Sequence, residues 1–277
     1  VKKVLTVAGS DSSGGAGLQA DLKTFAAMRV YGLSVVTAVT AQNTVAVTGV
    51  HTVPSEFVKK QMDAVFDDFE INGVKTGMLA NAGTITVVAE CFRQYSVKNI
   101  VVDPVMIATS GDLLMDERIE RMLWAFRNEL IPGALVVTPN IPEAEILTGR
   151  EIRSLEDMKA AAIDLQSLGA KNVVIKGGHL EQGDSVIDVL FDGNGFTEYR
   201  NQRIATRNTH GTGCTFAAAL AAGLARELSV QEAVSEAKRF VYTALKLSYS
   251  VGRGGGPPDH LGELYSLAEN CPDKETY

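Results

Sequence analysis

Short runs rich in Val and Ile alternate along the chain with segments whose apolar residues fall at i, i+3 and i+4. The runs are KKVLTVAG (2–9), LSVVTAV (33–39), GVKTGML (73–79), NIVVDPV (99–105), ALVVTPN (134–140) and NVVIKGG (172–178). Nearly unbroken apolar character marks strands covered on both faces, as in a parallel sheet. The segments 17–30, 55–69, 83–95 and 155–169 carry the helical period and predict amphipathic helices. Strand and helix in alternation imply an α/β fold, with a mostly parallel central sheet, helices on both faces, and ligands beyond the carboxyl ends of the strands.

After Gly177 the pattern changes. Residues 186–204 hold two strand-like runs around Asp192-Gly193-Asn194-Gly195, which predicts an antiparallel edge hairpin. Two long helical patterns follow over 214–229 and 230–250, the second opening after Ser229 as its N-cap. The Gly- and Pro-dense stretch 251–260 predicts a loop. No linker divides the chain, so 1–266 is expected to form a single domain and 267–277 a mobile tail.

Composition narrows the function. The 277 residues are 45% hydrophobic and 21% charged, ordinary for a globular domain, and the net charge of -7 with scattered basic residues disfavours nucleic acid. No apolar run nears the roughly 20 residues needed to span a bilayer, and no signal-like segment precedes the first glycines, so a cytoplasmic protein without membrane contact is expected. Cys91, Cys214 and Cys271 have neither paired spacing nor clustered histidines, so neither a disulfide framework nor a zinc site is suggested.

Chemistry concentrates in the turns. In Asn208-Thr209-His210-Gly211-Thr212-Gly213-Cys214, a glycine-rich turn runs into an Ala-rich helix. Free amides and the positive dipole end there suit a phosphate, although a tight loop before a packed helix needs the same residues. Cys214, in the first turn, is placed where the dipole lowers a thiol pKa, which suits a general base; a small buried thiol is the plainer reading. The turn from Gly9 to Gly17, ahead of Asp21, matches neither a Walker A loop nor a dinucleotide fingerprint, yet lets a flat substrate approach backbone.

Other strand ends add polar groups. Lys176 can neutralise phosphate, while Asn140 and Glu143 can hold Mg²⁺ through water or simply open a helix. Asp103 precedes Pro104 and either shapes a turn or stands near metal and phosphate. Met78 and Val105 close two strands. Gln42 and Asn43 close another, and an amide that both donates and accepts matches the ring nitrogen and amino group of an aminopyrimidine.

Together, AGSDSSGGAG with Asp21 downstream, AQNT, KTGML, VVDPVM, TPNIPEAE, VIKGGH and NTHGTGCTF resemble the ribokinase-like superfamily. Within it they resemble the hydroxymethylpyrimidine/phosphomethylpyrimidine kinases of thiamine synthesis. The resemblance covers nearly the whole chain, and order and intervals match as well as residues. It implies a ribokinase-like fold and ATP- and Mg²⁺-dependent phosphorylation of 4-amino-5-hydroxymethyl-2-methylpyrimidine, then of its monophosphate. It implies that Gly9, Ala16, Asp21, Gln42, Met78, Val105 and Cys214 surround the substrate. Gly211, Thr212, Gly213, Asn140 and Lys176 would serve ATP and its phosphates, Glu143 and Asp103 would hold Mg²⁺ through water, and the chain would form a homodimer. Most sugar kinases of the superfamily have aspartate where this chain has Cys214. The cysteine-bearing group also includes pyridoxal kinases, which are the alternative reading, but these typically have an apolar residue in place of Gln42. The loop from Gly252 to Pro257 departs from the family in lacking two histidines, with Arg253 left to offer a phosphate contact.

Overall fold

The structure is a computed structural model that describes residues 1–106, 119–180 and 183–269. The first strand, β1 (Lys3–Asp11), leads through α1 (Gly17–Ala27) to β2 (Tyr31–Gln42), which turns back into β3 (Val47–Thr52). Then come α2 (Ser55–Asp68), β4 (Gly73–Thr76), α3 (Ala82–Gln94), β5 (Ile100–Val102), α4 (Ile119–Ala125), β6 (Val136–Val137), α5 (Ile141–Thr148), α6 (Leu155–Ser167) and β7 (Asn172–Ile175). The chain continues as β8 (Ser185–Phe191), β9 (Phe196–Gln202), α7 (Thr212–Ala225), α8 (Val230–Lys246) and α9 (Gly262–Glu269).

The sheet runs β3-β2-β1-β4-β5-β6-β7-β8-β9. The strands from β2 to β7 pair in parallel, and β3, β8 and β9 are antiparallel. The expected α/β architecture is therefore present, with the expected hairpin at one edge. The other edge strand, β3, was not anticipated: its residues are exposed or half-buried, so it shows no apolar stripe. The chain leaves β1 toward β2 on one side and returns to β4 on the other, so the carboxyl ends of β1 and β4 flank a topological switch point.

Neighbouring strand residues feed opposite cores. Val101, Val136 and Val174 pack with α7 and α8, while Val102, Val137 and Val173 pack with α3 and α6 on the other face. Each such side chain contributes about 1.5–3 kcal/mol by leaving water. α7 is buried from Thr215 to Ala225, and its alanines let it lie close on the sheet; a β-carbon on Gly73 would sit 3.3 Å from that of Ala225. That contact fixes the height of α7, and hence of its first turn, over the strand ends. α9 continues through Glu269, three residues into the stretch expected to be a tail; the remainder, with Cys271, lies outside the described residues.

Candidate active site

A cavity of about 690 Å³ opens beyond the carboxyl ends of the parallel strands. Gly9 and Ala16 reach it from the β1–α1 loop, Gln42 from β2, Met78 from beyond β4, and Asp103 with Val105 from beyond β5. Asn140 and Glu143 at the start of α5, Lys176 after β7, and Gly211 to Cys214 at the start of α7 complete the opposite wall. Met78 presses against the backbone of Gly9, where a β-carbon would lie 3.0 Å from the Met78 sulfur.

Asp21 is not among these residues, which corrects its expected place beside the substrate. It lies on the inward face of α1, fully buried, and pairs with the equally buried Lys75 at 2.9 Å while Thr6 Oγ1 donates to it at 2.6 Å. Burial pushes the Asp21 carboxyl up against the pull of Lys75. Burial works against the Lys75 charge, but Asp21 and other nearby acidic groups hold that ammonium protonated. Asn43 is a second correction: its Oδ1 accepts the amides of Val45 and Ala46 and closes the β2–β3 turn, away from the cavity. Arg253 is exposed and also stands off the wall, where its loop docks on the same turn through Gly254 N–H to Thr44 Oγ1 at 3.0 Å.

The glycine turn is built for close approach. Gly211 caps α7 in the left-handed region, φ 82°, and a β-carbon there would collide with the Gly15 carbonyl. Among the described residues no side chain caps the helix; the Thr212 amide donates to the Thr209 carbonyl at 3.2 Å, which leaves the Gly213 and Cys214 amides for a ligand. Lys176 lies against this turn, since a β-carbon on Gly213 would stand 3.2 Å from its Nζ. The ammonium is anchored by Asp103 at 2.7 Å, itself held by the Thr138 hydroxyl at 3.0 Å.

Cys214 is half-buried at this wall, and its surroundings run against the expectation of a lowered pKa. Burial pushes the thiol up to about 11, against the opposing pull of Lys75, with Asp21 and Asp103 adding to the rise. The helix dipole acts on this sulfur, but its surroundings outweigh it.

Asn140 and Glu143 form a reciprocal capping box at the start of α5. The Glu143 amide donates to Asn140 Oδ1 at 2.9 Å, and the Asn140 amide donates to Glu143 Oε2 at 2.8 Å. Burial lifts the Glu143 carboxyl to about 7 although Lys176 pulls it down. The carboxylates of Asp103 and Glu143 are hard oxygen donors on the cavity wall, and Mg²⁺ takes few protein ligands and several waters, so the donor set fits that ion.

Asp11 was overlooked in the sequence as anything beyond a loop residue. Its carboxylate accepts the amides of Ser13, Gly15 and Ala16 at 2.8, 3.2 and 2.8 Å, and lies 2.8 Å from His210 Nε2. Thus it ties the two glycine-rich turns together. Gln42 lies beside this pair, with its Nε2 3.5 Å from His210 Nε2 and its backbone N–H donating to Ser12 Oγ at 2.9 Å. Aspartate two residues before serine is an Asx-turn signal, but its histidine partner is distant in sequence. Lys75 was also passed over, although a lysine inside an apolar strand must find a buried carboxylate.

Burial raises the Asp11 carboxyl, but hydrogen bonds from His210, Ser13 and Ala16 outweigh it and hold the pKa at about 2, below the ordinary 3.8. A depressed folded-state pKa stabilises above pH ~4, and that gain vanishes as pH falls toward ~2; a shift of this size corresponds to about 2 kcal/mol. Asp11→Asn should therefore be less stable than the parent at pH 7 by roughly that amount, and the gap should close by pH ~2. Urea denaturation at pH 7, 4 and 2.5 measures it, and an equal gap at all three would contradict the assignment.

The sequence matches the family described as phosphomethylpyrimidine kinase over residues 11–259. It is 48% identical over 262 residues to the hydroxymethylpyrimidine/phosphomethylpyrimidine kinase of Bacillus subtilis, covering 94% of this chain and 95% of that one. It is 52% identical over 258 residues to the thiamine biosynthesis bifunctional protein of Geobacter sulfurreducens, covering 93% of this chain but only 52% of that longer protein. Among solved structures, an ADP complex of Bacillus subtilis pyridoxal kinase matches with TM-score 0.87 and 38% identity over 95% of this chain and 98% of that one. Phosphomethylpyrimidine kinase from Clostridium difficile matches with TM-score 0.77 and 41% identity over 87% and 98%. The match runs from the Asp11 loop through the Cys214 turn and to within one residue of His260, at nearly half identity to a relative covered over 95% of its length, and so the chain belongs to the phosphomethylpyrimidine kinase family.

Proposed function

We propose that the chain transfers the γ-phosphoryl group of ATP to the hydroxymethyl group of 4-amino-5-hydroxymethyl-2-methylpyrimidine, and then a second phosphoryl group to the resulting monophosphate. The observation that carries this reading is one cavity with Gln42 on one wall and, on the other, a thiol at a helix start without a side-chain cap among the described residues, beside the half-buried Lys176 ammonium. Gln42 would meet the adjacent ring nitrogen and amino group of the pyrimidine, with Gly9, Ala16, Met78 and Val105 enclosing the ring. The thiolate form of Cys214 would receive the hydroxyl proton and become the thiol as the phosphoryl group arrives, and the Gly213 and Cys214 amides with Lys176 would stabilise the charge that develops. Asp103 and Glu143 would hold Mg²⁺ through water, which supplies neutralisation of the ATP phosphates when bound.

A second reading, pyridoxal phosphorylation, is favoured by the closer structural match to pyridoxal kinase. Pyridoxal has no ring nitrogen adjacent to an amino group, so it leaves the Gln42 amide poorly matched. The expected kcat/KM for the pyrimidine alcohol exceeds that for pyridoxal by at least about tenfold. Side-by-side ADP-release assays with product mass analysis decide. Preference for pyridoxal would install the second reading, and phosphorylation of neither would remove both.

A further inference from the structure

Two buried polar side chains stand behind the glycine turn, outside the set that faces the cavity. Thr215 in α7 is fully buried, and His260, just before α9, is 5% exposed. Thr215 Oγ1 lies 2.9 Å from the Gly211 carbonyl oxygen and 2.9 Å from His260 Nε2. A carbonyl only accepts, so the hydroxyl proton points to Gly211 and His260 Nε2 must be the donor to the hydroxyl. Burial, with the charge of Lys23 acting the same way, lowers the imidazole to about 4, so the ring is neutral and carries its one proton on Nε2.

The Gly211 carbonyl also accepts the Thr215 amide at 2.9 Å, so both its lone pairs are engaged on the protein side. The next wall is rigid as well, because the Gly15 carbonyl fills the space where a Gly211 side chain would be. Peptide C=O and N–H groups in a helix point in opposite directions. A carbonyl fixed along the α7 axis therefore keeps the first-turn amides directed back at the cavity.

We infer that His260 and Thr215 form a buried relay, imidazole to hydroxyl to Gly211 carbonyl, that holds the glycine turn in the orientation needed to stabilise the transferring phosphoryl group. Both are positioning residues, and the inference rests on the proposed phosphoryl transfer. Because the relay acts on charge that develops during transfer, its loss lowers kcat and leaves ground-state binding of the alcohol nearly intact.

The test is steady-state kinetics with ATP and the pyrimidine alcohol on four variants, with thermal unfolding alongside. Thr215→Val and His260→Leu should each lower kcat about tenfold, as one lost hydrogen bond allows, with KM for the alcohol within about twofold. Thr215→Ser keeps the hydroxyl, and His260→Gln keeps an N–H donor; both should recover most of the rate. The imidazole ¹⁵N NMR spectrum of the wild-type protein should show His260 protonated on Nε2. Unchanged kcat in Thr215→Val and His260→Leu, equal losses in the Ser and Gln variants, or an Nδ1–H tautomer would each overturn the relay. A wild-type protein that fails to phosphorylate the alcohol would instead remove the proposed function, leaving the tautomer result to stand by itself.

Discussion

Cys214→Ala is expected to lower kcat for the pyrimidine alcohol by about 10³-fold while ATP affinity changes less than about threefold, since a positioned general base contributes 10²–10⁴. The sulfur sits where the glycine turn becomes α7, half-buried on the cavity wall beside the turn that packs against Lys176. With its pKa pushed up to about 11, the group is a neutral thiol near pH 7. The fraction of thiolate, the form able to take a proton, then rises with pH throughout the range below ~11. Wild-type kcat/KM should accordingly climb between pH 7 and 9 without levelling, and the residual rate of the alanine variant should lack that limb. Rapid-quench and steady-state assays with calorimetry for ATP check all three quantities. Near wild-type turnover in Cys214→Ala would take the base out of the mechanism.

Lys75→Met is expected to destabilise the fold by about 3–5 kcal/mol, because breaking a buried pair leaves an uncompensated charge. Lys75 and Asp21 have no side-chain exposure, and among the described residues Lys75 and the Thr6 hydroxyl are the hydrogen-bond partners of the Asp21 carboxylate. Little space exists to rearrange, since a β-carbon on Gly77 would already sit 2.8 Å from Lys75 Nζ. For a chain of this size the loss corresponds to a Tm drop of roughly 6–15 °C. Combining Lys75→Met with Asp21→Leu removes both charges and should recover most of it, as replacement of buried pairs by apolar residues commonly does. Calorimetry on the single and double variants measures the effect; a Tm for Lys75→Met within about 1 °C of the parent would show that the pair is dispensable.

The same residue pair shows how far the sequence could be read. The fully buried strands were legible because Val and Ile fill both of their faces, as at Val101 and Val102. The Ser229 cap was legible because its partner, Glu232, lies three residues along. Asp21 was misread because it stands near a glycine-rich turn, yet it shares a helix face with Leu18 and Phe25, and that phase turns it into the core. β3 went unseen because an exposed edge strand leaves no hydrophobic pattern.

The sequence by itself determined the α/β architecture, the turns that carry the candidate chemistry and the likeness to a kinase family, since these depend on contacts within a few residues and on motif order. The tertiary structure decided which polar groups face the cavity, that Asp11 grips His210 across 199 positions of sequence, and that the Cys214 thiol is raised rather than lowered. Proton affinity follows burial and every charge nearby, and here those charges arrive on β4, α1 and the end of β5, from parts of the chain that local pattern cannot connect.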